Sequence, residues 1–144
     1  MAGSPTRNSD GGGCERTRLF PAVVVHGLAD AQAALAAGDP VTLLSSPGAA
    51  LFAGCLWWRD LVACARASHP ATPTIDILDC ADGSGQAMAA LRIGLCRLVL
   101  WPEAPGRDAV VAIATAQGGF VLEHAPPSRM SDQPSPRGRR VMGS

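Results

Sequence analysis

The chain has 144 residues, no net charge at neutral pH and 47% hydrophobic residues, which fits one domain. All twelve basic residues are arginine, so chemistry that needs a lysine is excluded: no Schiff base, no internal aldimine and no phosphate-loop lysine. The five cysteines, Cys14, Cys55, Cys64, Cys80 and Cys96, form no CxxC pair, and nothing resembles a disulfide framework or a zinc site. Free thiols in a reducing, cytoplasmic setting are expected, with no metal and no cofactor.

Residues 1–18 are small and polar with three consecutive glycines, and read as a disordered tail. The first apolar run begins only at Leu19 and is short, so no signal peptide is expected. The run "AVVV" (Ala22 to Val25) reads as a strand, and "LADAQAALAA" after it as a helix. The second strand is "VTLLS" (Val41 to Ser45). A long helix follows in "GAALFAGCLWWRDLVACARAS", with Ser46 as its N-cap and Pro47 at its first position. Leu51, Cys55, Trp58, Val62 and Ala65 step by four and three along it, and Leu61 and Cys64 widen that stripe. Trp58 is expected in the core. His69-Pro70 ends the helix, because the residue before proline avoids the helical region. The segment Ala49 to Trp58 is the most hydrophobic, but Arg59 and Asp60 interrupt it before it could span a membrane.

The third strand is "TIDIL" (Thr74 to Leu78), followed by the helix "GQAMAALRI". The fourth is "RLVLW" (Arg97 to Trp101), followed by the helix "GRDAVVAIATAQ". The fifth is "FVLEH" (Phe120 to His124). Helices end near Gly38, Gly94 and Gly118 or Gly119, where a left-handed cap is cheap. Residues 128–144 read as a second disordered tail, rich in arginine, proline and serine. The foldable domain is thus 19–127. It holds nine acids and five arginines, a charge of −4, which argues against nucleic acid as a partner. The "PRGRR" cluster in the second tail reads as solvated.

Strands alternating with helices predict an α/β domain of (βα)4β form, with a mainly parallel five-stranded sheet and right-handed crossovers. Two architectures satisfy this: an open, flavodoxin-like sheet, or half of a (βα)8 barrel that would pair with a second copy as a homodimer. In both, a small-molecule ligand binds at the carboxyl edge of the sheet. That edge collects His26 and Gly27, Ser45 and Ser46, Asp79, Cys80 and Asp82, Trp101 and Glu103, and Glu123 and His124.

The densest stretch is "DCADGSGQ". Gly83, Ser84 and Gly85 open a helix, and backbone N–H groups there can face an anion. The plainer reading is that Asp82 or Ser84 caps the helix and the glycines make the turn. Asp79 and Asp82 count against phosphate, since they repel an anion. A dinucleotide fingerprint fails because its third glycine position falls on Met88. Asp79 is placed like the phospho-acceptor of a response-regulator receiver, but "HG" stands where the acidic pair belongs and the required lysine is absent. The candidate ligand-binding set is His26, Ser45, Asp79, Cys80, Asp82, Gly83, Ser84, Gly85 and His124. A hydrolase or lyase is the alternative, with Cys80 beside His26 or His124, or Asp79 with Glu123. Arg92 and Arg97 are expected to form ion pairs with Asp79 or Asp82.

The pattern "LDCADGSGQAMAALRIG" resembles that of small uncharacterised bacterial α/β proteins, in which an aspartate-rich strand end runs into an alanine-rich helix and a glycine. The resemblance covers about Pro21 to Pro127 and implies the fold alone. The expected role is ligand binding, or regulation of a partner, at the carboxyl edge.

Overall fold

The computed structural model describes residues 19–130. The β-branched and leucine-rich runs are strands: β1 (Ala22–Val25), β2 (Val41–Ser45), β3 (Thr74–Asp79), β4 (Arg97–Val99) and β5 (Phe120–Leu122). The alanine-rich stretches are helices: α1 (Leu28–Ala36), α2 (Ala49–Phe52), α3 (Cys55–Ser68), α4 (Ser84–Arg92) and α5 (Arg107–Ala116). A sixth strand, β6 (Ser128–Met130), lies beyond the five expected and past the expected domain limit at 127. It pairs parallel with β1, Ala22 opposite Ser128 and Val24 opposite Met130. The three-residue "SRM" has no alternation to announce a strand.

Every pairing is parallel, and the strand order is β5-β4-β3-β2-β1-β6. The first five strands therefore lie side by side in chain order, as in a (βα)8 barrel; a flavodoxin-like sheet reverses its order at a switch point. With crossovers of one hand, this order sends the helices to one face. The other face is closed by curvature. From Leu122 to Ser128 the chain reaches about 20 Å at most. The two edges of a flat six-stranded sheet would stand about 24 Å apart. The connection also has to return along the strand direction, so the sheet is curled toward a barrel, with β5 and β6 approaching each other.

Two apolar clusters follow from the alternation of side chains. Val23, Val25, Leu43, Leu78 and Leu98 point to the helices and pack with Leu35, Trp58, Leu61, Val62, Leu91 and Val110. Val24, Leu44, Ile77 and Val99 point into the curl, joined by Leu19, Ile75, Phe120 and Leu122. Trp58 is fully buried, as its place in the stripe predicts. Truncating it to alanine would cost about 3–5 kcal/mol on the usual scale for buried aromatics.

The long helix expected over 48–68 is two helices. Gly54, at φ 88°, breaks it into α2 and α3. Ser46 and Pro47 lie in the turn before α2, whose N-cap is Gly48 at φ 70°. The break rotates Leu51 off the stripe, so Leu51 is exposed; Cys64 is exposed as well. His69 ends α3 as expected, with its N–H donating to Ala65 O and Arg66 O. No helix among the described residues is long and apolar enough to cross a membrane.

Candidate functional site

The carboxyl ends of β1 to β5 form one rim, because all five strands run the same way. β3 ends at Asp79, level with Val99 of β4, and Ser45 closes β2 level with Val25 of β1. The seam between β2 and β3 is tied by a side chain: Asp79 N–H donates to Ser45 Oγ at 2.9 Å. Ser45 and Asp79 are both buried, so the rim carries two polar side chains in an otherwise dry layer.

The stretch after Asp79 is knitted to both neighbouring loops. Asp79 Oδ1 accepts from Ala81 N–H at 2.8 Å, and Cys80 O accepts from Gly83 N–H at 2.8 Å. Ala81 O accepts from Trp101 N–H at 2.8 Å, and Ser84 Oγ donates to Pro105 O; both partners lie between β4 and α5. On the other side Leu51 of α2 covers Gly83, where a Cβ would stand 2.5 Å from Leu51 Cδ2 and 2.5 Å from Gln86 Oε1. A Cβ at Gly83 would push both side-chain tips aside and press on Cys80 O at 3.1 Å. Gly83 is also the N-cap of α4, without a side-chain cap from Asp82 or Ser84. Ala81 takes φ 51° at the centre of the turn, a conformation costly for a residue with a Cβ. Asp82 and Gly85 are exposed, with no Cβ obstruction at Gly85.

Asp79 and Cys80 part company here. Alternation places Asp79 with Ile75 and Ile77 on the inner face, and Cys80 with Leu78 in the helix-side cluster. Cys80 is fully buried. Burial pushes its thiol up to about 12, and the Asp79 carboxylate and Cys55 add to the rise. A thiol held protonated at neutral pH lacks the thiolate that a nucleophile needs. This removes the Cys80 pairing expected with His26 or His124.

The two rim histidines are exposed and lie at the ends of β1 and β5. His26 N–H donates to Asp30 Oδ2 at 2.9 Å, and its Nδ1 is 3.4 Å from the same oxygen. No hydrogen bond or ion pair joins either histidine to Asp79 or Cys80 among the described residues. Arg107, in the first turn of α5, donates from Nε to Leu100 O at 2.8 Å, and so ties the ends of β4 and α5 together. No group of three or more His, Cys, Asp or Glu side chains suited to a metal occurs among the described residues.

Among the described residues, five of the six exposed large apolar side chains stand at this same end: Leu28, Leu51, Phe52, Leu56 and Trp101. Each follows a strand directly or sits in α2 or the first turn of α1 or α3. Periodicity alone does not find them as a group, because it places Leu51 on the buried stripe, and the break at Gly54 takes it off.

Arg97 does not reach Asp79 or Asp82. Its Nη1 lies 3.8 Å from Asp76 Oδ1, which accepts from Arg66 Nη2 at 2.9 Å. Asp76 faces the helices, near the amino end of β3, where a single acid inside an apolar strand carries no spacing signal for a site. A cavity of about 210 Å³ opens beside it. No family model matches this sequence, and no curated protein matches it.

Proposed function

We propose that this protein is a small-molecule-binding module whose ligand docks on the carboxyl rim, with Asp79 as its polar anchor. The observation that carries the reading is the gathering of Leu28, Leu51, Phe52, Leu56 and Trp101 around the end of the sheet where Asp79 is held. Exposed apolar groups collected on one surface mark a place that something else covers. A few polar groups on an apolar lining fix a ligand's orientation. A carboxylate accepts about four hydrogen bonds, and Ala81 N–H supplies one to Asp79. Glu103 and Glu123 add exposed acceptors on the same rim. The ligand class this favours is a small molecule with an apolar body and a cationic or donor-rich head. Catalysis through Cys80 is set aside, because its thiol is buried and protonated.

The test is a thermal-shift series with aliphatic and aromatic amines against carboxylates of matching size. A ligand bound only by the folded state at about 100 times its dissociation constant adds about 2.7 kcal/mol to stability. Amines are expected to raise Tm, and Asp79→Asn to abolish the rise. An equal response to amines and carboxylates, or an unchanged response in Asp79→Asn, would remove Asp79 as anchor. The four described cysteines are free, which supports a reducing, cytoplasmic setting; fractionation that recovers the protein among secreted proteins would count against it.

A further inference from the structure

At the other end of the molecule the chemistry is reversed. The cavity beside Asp76 is lined by Arg59, Val62, Ala63 and Arg66 of α3, by Asp76, and by the turn into β4 that ends at Arg97. The four α3 residues stand at i, i+3, i+4 and i+7, so they share one face of the helix. Arg59 and Arg66 therefore leave the helix about 10 Å apart along its axis, on either side of an apolar floor of Val62 and Ala63. Arg97 faces them from the sheet.

Three guanidinium groups and one carboxylate line this wall. Asp76 is buried, and its Oδ1 serves both Arg66 and Arg97. Arg66 also donates to Thr74 O at 3.0 Å, so its head group is held from two sides. Arg59 is paired through Nε with its neighbour Asp60 at 3.1 Å. That pair is solvent-exposed, and Asp60 is not part of the lining; such pairs contribute little. With Asp76 shared by Arg66 and Arg97 and Asp60 paired to Arg59, the cavity wall keeps one positive charge in excess. Each guanidinium has five N–H donors, and the recorded bonds use only a few of them. Planar forks of this kind match phosphate oxygens in pairs. The cavity is smaller than the ~300–1,000 Å³ of ordinary ligand pockets, which restricts the occupant to a compact group.

We infer that this cavity is a binding site for a compact dianion of the phosphate type, either free phosphate or the phosphoryl group of a small monoester. Arg66 is the fixed floor contact, since Asp76 and Thr74 already orient it. Arg59 and Arg97 supply the free donors. The site lies on the helix-side flank toward the amino ends of the strands, away from the carboxyl rim, and does not depend on the reading of that rim.

Isothermal titration of the full chain in low-salt buffer with inorganic phosphate, methyl phosphate and malonate tests this. Phosphate or methyl phosphate should bind saturably and more tightly than malonate, and the tighter of the two identifies the source of the phosphoryl group. Arg59→Gln, whose polar partner among the described residues is the exposed Asp60, should fold with an unchanged Tm and bind at least about tenfold more weakly. Arg92→Gln, exposed and outside the lining, should bind as the parent does. Asp76→Asn, where it folds, should bind phosphate more tightly, because it removes the competing carboxylate. Absence of saturable phosphate and methyl phosphate binding in the parent overturns the site. So does a loss in Arg92→Gln equal to that in Arg59→Gln, which would mean that surface charge alone attracts the anion.

Discussion

Gly118 and Gly119 stand side by side, and each is glycine for a different reason. Gly118 takes φ 87°, the left-handed turn that ends α5. Gly119 has no such demand, but a Cβ there would stand 1.9 Å from Cys96 O and 2.6 Å from Cys96 C. That neighbour is backbone, immediately before β4, and cannot turn aside as a side-chain tip can. Gly119→Ala is therefore expected to cost roughly 2–4 kcal/mol, since β4 and β5 must separate to admit the methyl. Gly85 is the contrast: it lies in the first turn of α4 with open space around it. Gly85→Ala should stabilise by up to about 1 kcal/mol through helix propensity. Urea unfolding of both variants checks the pair. A neutral Gly119→Ala would mean that the contact with Cys96 relaxes freely; a destabilised Gly85→Ala would mean that Gly85 has a role beyond the turn. At this scale the sequence was only partly legible. Glycine at a helix end could be read from spacing. Glycine forced by a strand 23 residues earlier could not, because the chain has to be folded before Cys96 becomes a neighbour.

Among the elements, legibility followed hydrophobic period. The five apolar strands and the alanine-rich helices were plain, since period and composition agree within each. The break at Gly54 was not, because the apolar stripe continues across it in sequence while the backbone turns. That break takes Leu51 off the stripe and leaves it exposed beside Phe52 and Leu56, the apolar part of the proposed rim. The candidate site was legible to the same degree. Asp79 and Ser45 could be placed at strand ends, yet their mutual bond and the opposite facing of Cys80 required the register. β6 was the element missed altogether. Its three residues pair with β1 across Ala22 to Val24 and so cover the backbone groups of that edge. A chain ending at Pro127 should melt below one ending at Met130. Each kcal/mol lost corresponds to about 4–8 °C for a domain of this size. Equal melting temperatures would show that β6 adds no stability to the sheet.

For the whole molecule, the sequential strand order and the short β5-to-β6 connection act together. They curl the sheet, bury its inner face without helices on that side, and separate the buried Asp79 carboxylate at one end from an arginine-lined cavity nearer the other. The composition adds an experimental opportunity. With neither lysine nor tyrosine in the chain, cysteines are the side chains that titrate between pH 9 and 12. Cys80 is raised from 9.0 to about 12 in the folded protein, by burial first. The unfolded chain therefore releases this proton near pH 9, while the folded chain holds it until about pH 12. Across that window the folded state binds more protons, so stability falls as pH rises. The slope from one proton is about 1.4 kcal/mol per pH unit. Below pH 9 both states hold the proton and Cys80 contributes no pH dependence. Denaturant unfolding at pH 8, 9.5 and 10.5 should show this decline. Cys80→Ala should be less stable at pH 8, because a buried group is lost, yet flatter from pH 9 upward. A variant whose alkaline slope matched the parent's would assign the decline to the other cysteines and would place the Cys80 thiol within reach of water, against its position in the helix-side core.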